Sequence, residues 1–428
     1  MFTKIQRRNG GVMRIMEKSI LVVGGGISGI TTALEAAEAG REVFLVEKNP
    51  YLGGRVAQLN QYFPKLCPPN CGLEINFKRL KQNPRIRFFT MAEVEKISGQ
   101  EGDFEVTVRL NPRYVNQNCT ACGKCAEVCP LERPNAFNYG LDKTKAIYLP
   151  HVFAFPMKYV IDKQVCDSCG KCVEACQYNA IELDMEPKTI NLKVGAIVWA
   201  TGWQPYDATK LSYYGFGRYE NVITNVMMER LAAGNGPTGG KIVRPSDGKE
   251  INSIAFVQCA GSRDENHLHC CSNVCCLATL KQATYVRKQY PGAKISIFFI
   301  DIRARGKYED FFVKVQNEDD ITLIKGKAGE IKEDADKNLT VIAEDQLNQN
   351  LLEEKFDLVV LATGMAPGTR EDKIPLDVCY DEDGFFDTDP QTPGIYGAGC
   401  VKQPLDVASA VRDATAAALK AIQSTVRR

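Results

Sequence analysis

Short, mainly apolar runs punctuate the chain, separated by polar, glycine-rich or alanine-rich stretches. Ile20 to Val23, Ile295 to Ile300 and Leu358 to Ala362 are the longest of these runs. Each has the length of a strand buried on both faces, as in a parallel sheet covered by helices. From Lys18 to Lys48 the order is a strand (Ile20 to Val23), a glycine-rich turn, helical composition (Ile30 to Ala39) and a second strand (Glu42 to Val46) ending in Glu47. Ile254 to Val257 is another buried-strand candidate, so a second α/β unit is predicted from about Ile251 to Leu361. The fold class is therefore α/β. No apolar run nears the roughly 18 to 20 residues that span a bilayer, so direct membrane insertion is not expected.

The first turn reads Gly24-x-Gly26-x-x-Gly29. In a dinucleotide-binding unit the first glycine permits the tight turn, the second lets the backbone approach a pyrophosphate, and the third lets helix and strand pack closely. The helix N-terminus then offers unpaired N–H groups and a positive dipole end to the phosphates. Glu47 stands where an acidic side chain would bind a ribose. Gly53-Gly54-Arg55 follows the acid, and Ala200-Thr201-Gly202 closes an apolar strand far downstream; both favour FAD over NAD. This arrangement resembles the two-dinucleotide-binding-domain flavoproteins, which include thioredoxin reductase and the small subunit of glutamate synthase. Thr392 to Cys400, followed by an alanine-rich helix, matches that family's last flavin-contacting strand and helix. One departure is Gly399-Cys400, where the family has Gly-Asp. The resemblance implies FAD contacts from Gly24, Gly26, Ser28, Gly29, Glu47, Lys48, Gly54, Arg55, Val94, Thr201, Gly202, Gly399 and Cys400.

Composition adds the main chemical signal. The 428 residues include 17 Cys and only 3 His, and 53 Lys+Arg balance 52 Asp+Glu to a net charge of +1. That balance argues against wholesale binding to nucleic acid or acidic lipid. Thiols in tight C-x-x-C strings in a long chain point to metal ligation in a reducing compartment, not to a disulfide framework. Cys119-x-x-Cys122-x-x-Cys125-x-x-x-Cys129-Pro130 and Cys166-x-x-Cys169-x-x-Cys172-x-x-x-Cys176 each match the bacterial [4Fe–4S] pattern, in which the fourth thiolate serves the other cluster. One cluster would then use Cys119, Cys122, Cys125 and Cys176, and the other Cys166, Cys169, Cys172 and Cys129. Zinc is the plainer alternative for C-x-x-C pairs. The aromatic-rich segment Phe137 to Tyr159 between the strings is expected to pack on the rest of the protein or on a neighbour.

In an NAD(P)H-dependent relative the turn after the first strand of the second unit would carry another GxGxxG. Here it reads Phe256-Val-Gln-Cys259-Ala-Gly261-Ser262-Arg263, without a phosphate cradle. In its place stand Cys259 and Cys270-Cys271-Ser-Asn-Val-Cys275-Cys276, followed by Lys281-Gln282-Ala283. Buried cysteines are often only small hydrophobes, but five thiols in eighteen residues exceed what packing needs. The segments QCAGSR, CSNVCC and KQA resemble the family of heterodisulfide reductase A subunits. That resemblance implies a third [4Fe–4S] cluster held by Cys259, Cys271, Cys275 and Cys276, with Cys270 as neighbour or substitute ligand, and Lys281 beside the flavin ring, where its charge would stabilise anionic reduced flavin. Cys67-Pro-Pro-Asn-Cys71 is a further candidate, as a redox-active pair, a cluster contact or simply a rigid loop.

The resemblance runs from about Lys18 to Ala418. It implies a thioredoxin-reductase-like flavoprotein with an inserted α+β two-cluster ferredoxin domain: a flexible extension (1–17), the first part of the FAD domain (18–112), the insertion (113–185), an FAD-domain return and connector (186–245), an NAD-domain-like unit carrying the cysteine group (246–365) and the last part of the FAD domain (366–428). Met13 and Met16 are alternative starts. Within the family, the short length, the insertion and the CPPNC loop look most like the A subunits of quinone-interacting membrane-bound oxidoreductases of sulfate reducers. This implies an electron-transfer subunit on the cytoplasmic side of the membrane, in complex with a second flavo-iron–sulfur subunit and a membrane haem/iron–sulfur subunit, working between the quinone pool and adenylylsulfate reductase. Flavin-based splitting of an electron pair is a further family implication. The alternatives are a free-standing NAD(P)H-dependent disulfide reductase, which needs a second glycine loop and a C-x-x-C dithiol facing the flavin, and a scaffold whose clusters are structural.

Overall fold

Residues 19–388 and 392–426 are described in the computed structural model; the N-terminal extension and its alternative starts lie outside them. The chain opens with β1 (Ser19–Val23), α1 (Ile27–Glu38) and β2 (Glu42–Glu47), followed by α2 (Pro69–Gln82) and β3 (Ile86–Thr90). Three antiparallel strands, β4 (Ala92–Gln100), β5 (Asp103–Leu110) and β6 (Lys188–Val194), then precede β7 (Ala196–Trp199). The second unit holds β8 (Val222–Thr224), α3 (Asn225–Ala232), β9 (Ser253–Ala260), α4 (Cys275–Gln289), β10 (Lys294–Phe299), β11 (Ile321–Lys325), a three-stranded antiparallel sheet of β12 (Ala328–Glu333), β13 (Leu339–Asp345) and β14 (Asn350–Phe356), and β15 (Leu358–Thr363). The chain returns to the first unit with β16 (Ile395–Gly397) and α5 (Val407–Ser424).

The first parallel sheet runs β16-β7-β1-β2-β3, with Val22 opposite both Val198 and Leu45. Alternation along β1 decides which layer each residue meets. Ile20 and Val22 face a core shared with Ile30, Ala33, Leu34 and Ala37 of α1, spaced at helical turns. Leu21 and Val23 face Val106, Val108 and Leu192 of the antiparallel sheet. Ala414, Ala417 and Ala421 bury the matching stripe of α5 in the helical core. With no larger side chains between them, Thr32 Oγ1 of α1 reaches the Ala414 carbonyl at 3.3 Å. The second parallel sheet runs β8-β15-β9-β10-β11, with α3 and α4 on one face and the β12–β14 sheet on the other. A ribbon pairing Trp203–Pro205 with Met365–Pro367 crosses between the units.

The insertion lies between β5 and β6 and carries two short helical turns, Lys124–Glu127 and Lys171–Glu174. Its small core combines Val115, Ile147, Ile161, Ala180 and Ile181 with the thiols Cys125 and Cys172. The aromatic segment packs on the rest of the same chain: Phe155 stacks on Phe77 at 4.9 Å, and Phe137 stacks on His151 at 4.4 Å within the core of the first unit. Val152, Phe153 and Met157 remain exposed.

Arg230 of α3, fully buried, joins three parts of the molecule. Its Nε donates to Asn138 Oδ1 in the insertion (2.8 Å), Nη1 to the Gln58 carbonyl (3.2 Å) and Nη2 to Asn235 (3.1 Å), while the guanidinium lies 4.7 Å from the Phe137 ring centroid. Arg230→Met keeps bulk but leaves these acceptors unpaired. A loss of about 3 kcal/mol is expected, read as a lower denaturation midpoint and new protease cuts between residues 137 and 156; an unchanged midpoint would refute the role.

Candidate functional site

The glycine turn after β1 is built by contacts too close for side chains. Gly24 has φ +111°, and a Cβ there would lie 2.3 Å from the Ala200 carbonyl oxygen. At Gly29 a Cβ would come within 1.8 Å of the Gly24 carbonyl oxygen. These approaches bring the ends of β1 and β7 together at the start of α1. Gly26 forms a bridge with Gly53, and Gly54 (φ +55°) lies against the Gly26 Cα, so the predicted GGR segment sits directly beside the turn. Gly399 (φ +71°) closes over Ser28 from the other side, where a Cβ would meet Ser28 Oγ at 2.0 Å. Its N–H donates to Asp413 on α5 at 2.7 Å.

Glu47 is buried, with Oε2 accepting from the Gly25 N–H (2.6 Å) and Oε1 from Asn49 (2.7 Å). Burial raises its carboxyl above the usual range, against the lowering effect of the Asn49 and Gly25 N–H bonds. Thr201 Oγ1 is buried without a partner. A glycine-walled cradle, an acid at its edge and an unpaired hydroxyl fit a dinucleotide.

The remaining predicted contacts are committed elsewhere. Lys48 pairs with Asp372 at the surface. Arg55 donates to Gln58, to the Tyr139 hydroxyl and to the Trp203 carbonyl. Val94 packs against the core under the antiparallel sheet. Cys400 is buried with Sγ directed at the Leu405 carbonyl, and burial pushes its thiol up to about 12.

In the insertion the thiols surround two small voids. Cys119, Cys122, Cys125 and Cys176 line one, together with Tyr159 and Tyr178. Cys166, Cys169, Cys172 and Cys129 line the other. Each void therefore takes its fourth thiol from the opposite string, the arrangement a pair of cubane clusters requires. Four thiols around each void match a four-iron cubane, one cysteine sulfur for each iron. Main-chain N–H groups of Ser168 and Ala180 point at Cys166 and Cys176 Sγ, each at 3.4 Å. Burial, followed by the neighbouring Cys119, pushes the Cys125 thiol up to about 12, so ligation there must displace a proton.

The third group lies at the end of β9 and the start of α4. Cys259, Cys275 and Cys276 are buried and Cys270 and Cys271 half-buried, and the Cys270 main-chain N–H donates to Asp383 Oδ2 at 3.0 Å. Asn273 N–H points at Cys271 Sγ at 3.3 Å. Gln258, next to Cys259 in the chain and buried, leaves both amide atoms unpaired. The Tyr206 ring packs on Gly261, where a Cβ would come within 2.2 Å of it, in the turn that would carry a phosphate in a nicotinamide site.

Lys281 is not a lone cation. Its Nζ lies 3.0 Å from Glu229 Oε1 and donates to the Gln61 carbonyl at 2.5 Å, with both charged side chains buried. Glu229 also accepts from the Asn60 N–H (3.0 Å) and Gln282 Nε2 (2.8 Å). Sequence reasoning missed Glu229, Arg230 and Asp383, since none lies in a spacing motif. Cys67, half-buried, precedes α2 and pairs with Tyr62 in an isolated bridge, while Cys71, exposed, lies in the first turn of α2.

Fold and site together define a two-dinucleotide-binding-domain flavoprotein with an inserted ferredoxin-type module. Residues 19–65 match the FAD dependent oxidoreductase family and residues 159–182 the 4Fe-4S binding domain. The fold is similar to thioredoxin reductase of T. acidophilum (TM-score 0.54, 16% identity, covering 96% of this chain and 99% of that one) and to bacillithiol disulfide reductase of Bacillus cereus (TM-score 0.51, 14% identity, 95% and 99%).

Along nearly its whole length the chain is similar to heterodisulfide reductase A subunits. It is 46% identical over 415 residues to the second of the CoB–CoM heterodisulfide reductase iron-sulfur A subunits of Methanopyrus kandleri, covering 94% of this chain and 63% of the relative. To the A subunit of the H2:CoB-CoM heterodisulfide,ferredoxin reductase of Methanothermobacter thermautotrophicus it is 39% identical over 419 residues, covering 95% and 64%. The chain thus spans a little under two-thirds of the length of these relatives. No helix among the described residues is long and apolar enough to cross a membrane.

The cradle makes two glycine substitutions separable. A Cβ at Gly26 meets only the Gly54 Cα, at 3.9 Å, whereas one at Gly29 collides with backbone. Gly26→Ala should fold but bind flavin at least about tenfold more weakly, roughly 1.4 kcal/mol, and Gly29→Ala should lose folded protein. Flavin per chain and the unfolding midpoint check both.

Proposed function

We propose that this chain is the flavin and iron–sulfur electron-relay subunit of a multi-subunit oxidoreductase. The observation that carries the reading is the association, in one molecule, of a dinucleotide cradle with three groups of thiols, two of which exchange their fourth member. Bound FAD would supply two-electron chemistry and the clusters single-electron steps, with potentials tuned by burial and by N–H bonds to sulfur such as those at Cys166, Cys176 and Cys271. The cradle residues Gly24, Gly26, Gly29, Glu47, Gly54, Thr201, Gly202 and Gly399 would hold FAD. Cys119, Cys122, Cys125 and Cys176, then Cys166, Cys169, Cys172 and Cys129, and finally Cys259, Cys271, Cys275 and Cys276 would hold three [4Fe–4S] clusters. Lys281, in its buried pair with Glu229, would set the charge near the flavin.

The finer reading is a component linking the quinone pool to adenylylsulfate reductase through a second flavo-iron–sulfur subunit and a membrane haem subunit, peripheral to the cytoplasmic membrane. The ferredoxin insertion and the CPPNC loop support it. The second reading, a heterodisulfide reductase-type subunit with another partner, is favoured by the names of the relatives above. Purification from native membranes separates the two by what accompanies the chain.

Iron, acid-labile sulfide and flavin counts on anaerobically purified protein test the core proposal. About twelve irons and one FAD per chain are expected, four irons for each cluster. About eight irons would remove the third cluster, and rapid bleaching of the flavin by NADH or NADPH would restore the free-standing reductase.

A further inference from the structure

Arg113 stands where the chain enters the insertion, and its guanidinium spans two parts of the molecule. Nη2 donates to the Pro50 carbonyl (2.5 Å), in the loop that follows Glu47, and to Thr90 Oγ1 (2.9 Å) at the end of β3. Nη1 donates to the carbonyls of Lys158 (3.3 Å) and Tyr159 (3.5 Å) in the insertion. All four acceptors are uncharged oxygens, and among the described residues no carboxylate pairs with this side chain. A guanidinium does not lose its proton near neutral pH. Arg113 therefore carries a half-buried positive charge without a counterion.

That charge lies against the wall of the first void, the one lined by Cys119, Cys122, Cys125 and Cys176. Tyr159 and Val115 line the same void. The Arg113 carbonyl accepts the Ile161 N–H at 3.2 Å, and Val115 bridges Ile181, another residue of that wall. The second void differs. Its neighbouring cation, Lys163, donates to Ser168 Oγ (2.7 Å) and the Leu183 carbonyl (3.4 Å), both on the wall, but Lys163 is exposed to water. Asp167 and Lys171, also exposed on that wall, bring opposite charges. Exposed charges are screened by water and salt, whereas a half-buried one acts more strongly on its neighbours.

We propose that Arg113 is a tuning residue that raises the reduction potential of the first ferredoxin cluster above that of the second. Reduction adds negative charge to a cluster, and an uncompensated cation at its wall stabilises the reduced form. This rests on the two-cluster reading of the insertion. The same side chain fastens the first cluster's wall to the loop behind Glu47, so the more easily reduced cluster is the one tied to the flavin unit.

The test is a redox titration of anaerobically purified full-length protein, followed by electron paramagnetic resonance, with iron and flavin counts on each variant. Cys122→Ser assigns the first cluster by altering its signal, and Cys169→Ser assigns the second. In the wild-type protein the first cluster should be reduced at the higher potential. Arg113→Gln should move that midpoint downward and leave the second in place, Arg113→Lys should hold it near the wild-type value, and Lys163→Gln should move neither. Equal downward shifts in Arg113→Gln and Arg113→Lys would show that the bonds and not the charge matter, and would overturn the proposal. So would an unmoved first-cluster midpoint in Arg113→Gln with normal iron and flavin. Should Arg113→Gln not fold, the wild-type titration still decides, because a second cluster reduced at the same or a higher potential refutes the tuning. About four irons per wild-type chain would instead overturn the two-cluster reading itself.

Discussion

A single buried guanidinium holds the architecture together. Arg230 has no bulk water around it, so desolvation works against its charge. The charge is tolerable because oxygens from Asn138, Gln58 and Asn235 and the face of Phe137 surround it. Those groups come from the insertion, from the stretch following the flavin cradle and from the segment after α3. The insertion could otherwise pivot on its two connections to β5 and β6. Arg230 and the stacked aromatics Phe77, Phe137 and Phe155 turn it into a fixed neighbour of the cradle.

The next residue out, Glu229, carries the same logic toward the chemistry. It points from α3 to α4 and meets Lys281 in a pair sealed from water, with Gln282 and the Asn60 main chain completing its hydrogen bonds. Burial and the Glu229 carboxylate together raise the Tyr285 hydroxyl far above its usual range. Adjacent residues on one helix thus organise two interfaces, one by a lone buried cation and one by an ion pair. The surroundings of Lys281 are therefore set by α3 and by Asn60 and Gln61 as much as by its own helix.

Much of this was legible in the sequence because close approach and metal ligation leave spacing signatures. The glycines of the first turn can be read because only glycine fits within 2.3 Å of the Ala200 carbonyl. The two ferredoxin strings can be read because C-x-x-C-x-x-C-x-x-x-C is itself the ligand spacing of a pair of cubanes, and the voids are lined by the sets the spacing anticipates. Helix α1 begins at Ile27, earlier than the predicted Ile30, because Ser28 and Gly29 are already in its first turn. Glu229, Arg230 and Asp383 were not legible, since their partners lie 52, 92 and 113 residues away and no local pattern marks such pairs. The resemblance suggested a lysine beside the flavin, but it gave no hint that a carboxylate would already hold it.

The exchange of Cys129 and Cys176 between the two voids has a consequence for how the protein is made. Under the proposed ligand sets, the string at 119–129 emerges first from the ribosome but lacks Cys176, and the later string lacks Cys129. Neither site is complete until both are translated and folded together. Iron delivery to the insertion would then be a late, all-or-none event, and a chain truncated between the strings would offer thiols but no finished site. The loss of a single exchanged thiol would likewise disturb the fit of both halves, making this part of the molecule a checkpoint for maturation as well as a conduit for electrons.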